Sequence, residues 1–194
     1  MSPRSYQMGR RQTDVDETRR RVVEAARELL AETGTFAVDA VARRADVARA
    51  TVYYQFGSKV GLLQALCDHL AERGGMERLA EVFTLAEPRK AIEEFVRVMG
   101  GFWATDRVCT RRLRALAALD DEVGQVIAAR DEMRHRAAGV LAGGLGAADG
   151  RDDLVDMLYT LTSFETFDTL ARGRALDEAT PAIIRLVHGV IDGG

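Results

Sequence analysis

The residues best suited to chemistry are gathered in one stretch, RRADVARATVYYQFGSK, residues 43–59. It holds Arg43, Arg44, Arg49 and Lys59 against the single acid Asp46, with Thr51, Tyr53, Tyr54 and Gln55 between them. Such a set suits a polyanion: Lys and Arg attract phosphates, while Tyr, Thr and Gln hydrogen-bond to phosphate oxygens or base edges. No comparable grouping suits catalysis. His69, His135 and His188 lack metal-ligand spacing, and no nucleophile elbow, P-loop or dinucleotide fingerprint occurs. The carboxylates fall mostly on helix faces that water would reach anyway. No enzymatic activity, cofactor or metal is expected. Charge is unevenly placed as well: residues 1–73 carry 12 Lys+Arg against 10 Asp+Glu, and residues 74–194 carry 15 against 20. A basic end on an acidic chain points to a polyanion there and to something else at the other end.

The elements that must position these residues read as helices. Prolines stand only at 3, 88 and 181, all compatible with termini or first turns. No run alternates as a strand would, and no repeat has a solenoid period. Residues 1–13 are polar and read as a flexible arm. Asp14, with Glu17 three residues on, reads as a helix start. Val22, Ala26, Leu29 and Leu30 then share a face, and the helix stops near Gly34. Val38, Val41, Ala42 and Ala45 mark a short helix, Ala45-Asp46-Val47-Ala48 a break, and Thr51, Val52 and Tyr53 a second helix. Gly57-Ser58 breaks the chain again, and Ser58 can cap a helix carrying Leu62, Leu63, Leu66 and Leu70. Two short helices across a four-residue break form a helix-turn-helix pattern, with Val41, Ala42, Val47, Val52 and Phe56 as its core. An ordinary helical hairpin with solvated cations fits the same periodicity, which leaves both readings open.

Residues Val38 to Leu63 settle the choice by resemblance. Val41-Ala42, Ala45-Asp46-Val47-Ala48, Thr51-Val52-Tyr53, Tyr54-Gln55-Phe56, Ser58-Lys59 and Leu62-Leu63 stand in the register of the TetR family of bacterial transcriptional regulators, whose DNA-binding domain this segment resembles. The resemblance implies an all-α fold, with an N-terminal three-helix helix-turn-helix domain and a C-terminal helical bundle for dimerisation and ligand binding. The divisions would fall at 1–13 (the arm), 14–73 (the DNA-binding domain with its linking helix) and 74–194. It implies contacts to double-stranded operator DNA from Arg49, Ala50, Thr51, Tyr53, Tyr54, Gln55 and Lys59. Lys59 matches a phosphate anchor, and Tyr53 is partly structural. It further implies a cytoplasmic homodimer, most often a repressor, answering to a small molecule. Three positions depart from the family pattern. Asp46 replaces the turn glycine, Ala48 replaces the Ser or Thr that caps the recognition helix, and Gly34-Thr35-Phe36 is a shortened link that leaves capping and packing to Thr35 or Phe36.

Beyond Gly74-Gly75 the periodicity predicts longer helices, for about nine in all. Pro88 opens one with Ile92, Phe95, Met99 and Phe102 on a face. Residues 107–119 carry Arg107, Arg111, Arg112 and Arg114 with Leu113, Leu116 and Leu119. These arginines read as a second nucleic-acid patch, as a solvated face, or as contacts to the first domain. Residues 121–142 follow, then GGLGAADG as a loop, one apolar helix from Asp152 to Arg172, and a last from Asp177 to Ile191. Met99, Phe102, Trp103, Met133, Met157, Tyr159, Phe164 and Phe167, with Cys109 and His135, are candidates to line a cavity for an apolar or aromatic effector; for any one of them plain core packing is the better reading. Gly100-Gly101 marks a kink or a close contact. Leu154, Leu158, Leu161 and Phe164, with Ile183, Ile184, Val187 and Val190, supply stripes for a twofold interface through the last two helices. Cys67 and Cys109 read as buried thiols of a reducing cytoplasm, and no apolar run is long enough for a membrane. The competing reading is a helical small-molecule-binding or enzymatic protein with a degenerate helix-turn-helix. Retention of Thr51, Tyr54 and Lys59 argues against degeneracy.

Overall fold

The computed structural model describes residues 3–146 and 151–193. Their α-helices are α1 (Pro3–Thr33), α2 (Val38–Arg44), α3 (Arg49–Phe56), α4 (Lys59–Arg73), α5 (Leu79–Val82), α6 (Pro88–Thr105), α7 (Arg107–Ala117), α8 (Asp121–Gly144), α9 (Arg151–Leu161), α10 (Phe164–Leu170) and α11 (Thr180–Gly193). Single 3-10 turns, Met76–Arg78 and Leu176–Ala179, precede α5 and α11. The fold is all-α, and among the described residues no helix is long and apolar enough to cross a membrane.

Two apolar cores organise these helices. In the first, Val22, Ala26 and Leu30 of α1 meet Val41, Val52, Leu62 and Leu66. This core does not end with α4: Cys109 and Leu113 of α7 and Val123 of α8 belong to it. In the second, Ile92, Phe95, Val96 and Met99 of α6 pack with Leu158, Phe167 and Ile183. Full burial of each such side chain stabilises the fold by roughly 1.5–3 kcal/mol.

Several elements depart from the sequence reading. Helix α1 begins at Pro3, so residues 3–13 continue a helix where an irregular arm was expected. Asp14 lies inside that helix, its carbonyl accepting from the Thr18 hydroxyl at 2.8 Å. At the shortened link, Phe36 is buried as required, but Thr35 bonds to the Thr33 hydroxyl and does not cap α2. The N-cap there is Ala37, which has no side-chain acceptor. The helix expected over 152–172 is two. Ser163 accepts from Thr166 N at 3.2 Å and caps a new helix, and the Thr162 hydroxyl bonds back to Leu158 O at 2.7 Å. Leu119 lies beyond α7 and is exposed. In the expected loop, Gly143 and Gly144 still belong to α8, while positions 147–150 lie outside the described residues.

The glycine pair of α6 is a close contact at one position only. A Cβ on Gly100 would lie 2.5 Å from Thr180 Oγ1 and 2.9 Å from the Phe167 ring, whereas Gly101 faces open space. Helix α6 runs unbroken through both. Gly100 is therefore where α6 can approach the start of α11.

Candidate nucleic-acid interface and adjoining cavity

Local sequence sets the angle between α2 and α3. Ala45 N donates to Val41 O at 2.9 Å and Val47 N to Ala42 O at 3.0 Å, closing the end of α2. The chain reverses through Asp46 at φ 51, the sole non-glycine with positive φ among the described residues. Asp tolerates this left-handed region better than most residues do. Ala48 has the extended geometry of an N-cap, φ −66 and ψ 145, but no side chain that could accept a hydrogen bond. Val52 and Phe56 then turn inward, which fixes the opposite face outward.

That outward face carries the expected contact residues. Ala50, Tyr53 and Tyr54 are exposed, Tyr54 to 85%, and Thr51 and Gln55 are half-buried. The exposed Arg49 is held by neighbours. It donates to the Tyr53 hydroxyl at 3.3 Å and lies 3.1 Å from Asp39, with its guanidinium 5.4 Å from the Tyr53 ring centre. The Tyr53 hydrogen bond and the Asp39 charge both raise its pKa. Arg19 of α1 steadies the far end of α3, donating to Gln55 O at 2.8 Å and lying 4.5 Å over the Phe56 ring.

After Gly57 at φ 73, Ser58 accepts from Gly61 N at 3.0 Å and caps α4, as its sequence context predicts. Gly61 is obligatory here, since a Cβ would come within 2.0 Å of the Phe56 carbonyl oxygen. Lys59 has a partner that its sequence neighbourhood does not signal. Its Nζ lies 2.6 Å from Asp120 Oδ2 and 3.5 Å from Glu122. The Asp120 bond raises the Lys59 pKa, and Lys59 lowers that of Asp120. Asp120 is also the N-cap of α8, accepting from Glu122 N at 3.1 Å and Val123 N at 3.2 Å.

A cavity of about 560 Å³ lies among α4, α5, α6, α7 and α8. Its wall is largely apolar, with Leu70, Phe83, Phe95, Leu113 and Ile127 beside four of the predicted residues, Met99, Phe102, Trp103 and Met133. The other six predicted residues stand elsewhere. Cys109 is buried in the first core, where desolvation pushes its thiol up to about 12. Phe164 and Phe167 are buried in the second core; Phe164 meets the Trp103 edge at 5.7 Å and supports it from behind. His135 lies 3.1 Å from Asp156 and meets the Tyr159 ring at 5.2 Å. Tyr159 lies beneath Arg134, and Met157 is 46% exposed on α9. These side chains are apolar or aromatic on helices with more than one inner face, and periodicity does not say which face meets a void. Cys67 does line the cavity, and burial pushes its thiol up to about 11.

Sequence reasoning missed the cavity's polar end. Arg134 is 7% exposed, yet an arginine on a long helix ordinarily reads as solvated. Its donors reach Tyr159 O, Thr162 Oγ1 at 3.3 Å and Asp131 Oδ1 at 3.3 Å. Asp131 also pairs with Arg114 at 3.0 Å, and Arg114 with Glu165. Burial pulls the Arg134 pKa down. Of the α7 arginines, Arg107 and Arg111 pair with Asp168, each at 2.7 Å, and Arg112 reaches α1, at Leu30 O. Among the described residues no cluster of His, Cys, Asp and Glu could hold a metal ion.

Comparisons with known proteins bear on this geometry. Residues 22–66 match the family described as bacterial regulatory proteins, tetR family. No curated protein matches the chain. A TetR-like transcriptional regulator from Rhodococcus sp. RHA1 shares 22% identity over 91% of this chain and 97% of its own, with a TM-score of 0.58. A second transcriptional regulator from Rhodococcus sp. Rha1 shares 18% over 87% and 95%, with a TM-score of 0.61. The transcriptional regulator FadR from Bacillus subtilis, solved in complex with stearoyl-CoA, shares 17% over 86% and 96%, also at 0.61. At these identities the likenesses concern the fold. The matched segment, residues 22–66, spans the helices that set Arg49 to Lys59 outward, and over that segment the chain is similar to the tetR family of bacterial regulatory proteins.

Proposed function

We propose that this transcriptional regulator is a homodimeric repressor of the cytoplasm, released from its operator by an apolar or aromatic small molecule. In this reading residues 14–73 read DNA and residues 74–194 bind effector and dimerise. Arg49, Ala50, Thr51, Tyr53, Tyr54, Gln55 and Lys59 face the operator. Met99, Phe102, Trp103 and Met133 contact the effector. The observation that carries the proposal is the outward row on α3 beside Lys59, whose partner Asp120 begins the helix that lines the cavity. Effector that shifts α8 moves Asp120, and with it the lysine that meets phosphate. Competing carboxylate and phosphate partners for one ammonium are a direct route from cavity to DNA.

The test is operator binding after selection of bound sequences from a random DNA pool. Lys59→Ala and Tyr54→Phe both alter exposed or half-exposed side chains, so folding is expected to survive. Both should weaken binding across sequences, and Lys59→Ala should also reduce the slope of log K against log salt by about 0.9. Parent-like affinity and slope in both variants would remove the phosphate assignment.

A further inference from the structure

The cavity's one charged wall has a donor left over. Arg134 Nε is buried and has no hydrogen-bond partner among the described residues, although the rest of the guanidinium is occupied. Its guanidinium also lies 4.0 Å over the Tyr159 ring, so the fork is held in place. A buried donor without an acceptor is costly, and arginine cannot shed its charge to escape that cost. The nearby anion is shared: Asp131 serves Arg114 as well as Arg134. Glu165 completes the pairing of Arg114 from the exposed side and does not line the cavity. The other lining cations have partners of their own, Arg130 with Asp68 and Arg136 with Glu132. Arg134 is thus the lining cation with least compensation. The remainder of the wall, from Leu70 through Phe95 and Met99 to Trp103, is apolar.

From this polarity we infer that the cavity takes an amphipathic acid, its anionic head on Arg134 and its apolar body along Phe95, Met99 and Trp103. This rests on the cavity being an effector site, and it adds the chemical class. A carboxylate supplies the charge that Asp131, shared with Arg114, only half provides. Charge-assisted bonds of this kind are the stronger ones, and their strength rises away from water.

Three probes sharing one chain separate the possibilities: decanoate, decanol and decyltrimethylammonium, each titrated below its micelle concentration and followed through Trp103 emission. Decanoate should bind at least about tenfold more tightly than decanol, with the cation weakest, a tenfold ratio being ~1.4 kcal/mol. In Arg134→Leu, checked for helix content by circular dichroism, decanol affinity should hold and the decanoate preference should vanish. Arg130→Gln and Arg136→Gln should preserve the preference. Equal affinity of decanoate and decanol for the parent protein overturns the inference while leaving the cavity reading intact. So does a preference abolished by the Arg130 or Arg136 variants, which would assign it to surface attraction. If none of the probes alters Trp103 emission, the effector-site reading falls and this inference falls with it. The comparison on the parent protein decides the matter even if Arg134→Leu does not fold.

Discussion

Lys59 shows how a residue's type and its state come from different sources. Its expected role, a phosphate anchor at the start of a capped helix, comes from the resemblance to the TetR family and stands as a proposal. Its partner was not legible, because Asp120 is 61 residues away and no local pattern pairs them. The pairing makes a prediction at this scale. Asp120→Asn keeps an N-cap of equal quality for α8 but removes the charge that competes with phosphate for Lys59. Operator affinity measured without effector should rise severalfold, and an unchanged or weaker affinity would show that the pair does not compete with DNA. Ala48 offers a second test. Its backbone already has N-cap geometry without an acceptor, so Ala48→Ser should stabilise the protein by about 1 kcal/mol, read as a higher denaturant midpoint at unchanged m-value.

At the scale of elements, α6 and α8 do the positioning. Helix α8 carries the Lys59 partner at its first cap, and Arg134 lies further along its length. The carboxylate that holds Lys59 and the guanidinium of the cavity wall therefore belong to one helix. Helix α6 supplies Phe95, Met99 and Trp103 to the cavity and presses Gly100 against Thr180 and Phe167. The glycines of α6 make a matched pair of predictions. Gly100→Ala should cost roughly 1–3 kcal/mol, because the new methyl overlaps packed atoms. Gly101→Ala should be neutral or stabilising by up to about 1 kcal/mol, because alanine favours helix and nothing obstructs it. Thermal unfolding of both variants checks the sign at each site. Sequence marked the pair as unusual for a helix but did not distinguish its members. The break between α9 and α10 was hidden in the same way: Thr162 and Ser163 are compatible with a helix interior, and the choice follows from Trp103, whose indole donates to Thr162 O at 3.0 Å.

At the scale of the whole molecule, one core runs from α1 through α4 into α7 and α8, between the outward face of α3 and the cavity. If effector lowers operator affinity by some factor, operator must lower effector affinity by the same factor, with a coupling ordinarily of about 1–3 kcal/mol. Titrating effector through Trp103 with and without operator DNA tests this, and indifference to DNA would leave a pocket without a switch. Dimerisation is proposed through α9–α10 and α11, with half-sites then about 34–36 Å apart or somewhat more. The stripe read from sequence is partly spent inside the protomer, where Leu158, Phe164, Ile183 and Val187 are buried. Met157 and Leu186 stay 46% and 48% exposed, which makes Leu186→Glu the sharper test. Light scattering should show a dimer for the parent and a smaller species for the variant, and a monomeric parent at micromolar concentration would end the proposal. What sequence by itself determined was the helical class, the helix-turn-helix and the residue types on its outer face. Those follow from periodicity, turn chemistry and matches in register over a short segment, all of them local. Only tertiary structure decided which aromatics line a void, which glycine is crowded, and where Lys59 and Arg134 find their partners. Those depend on residues tens of positions apart meeting in one packed interior, and an ion pair or a cavity wall leaves no periodic trace in the chain.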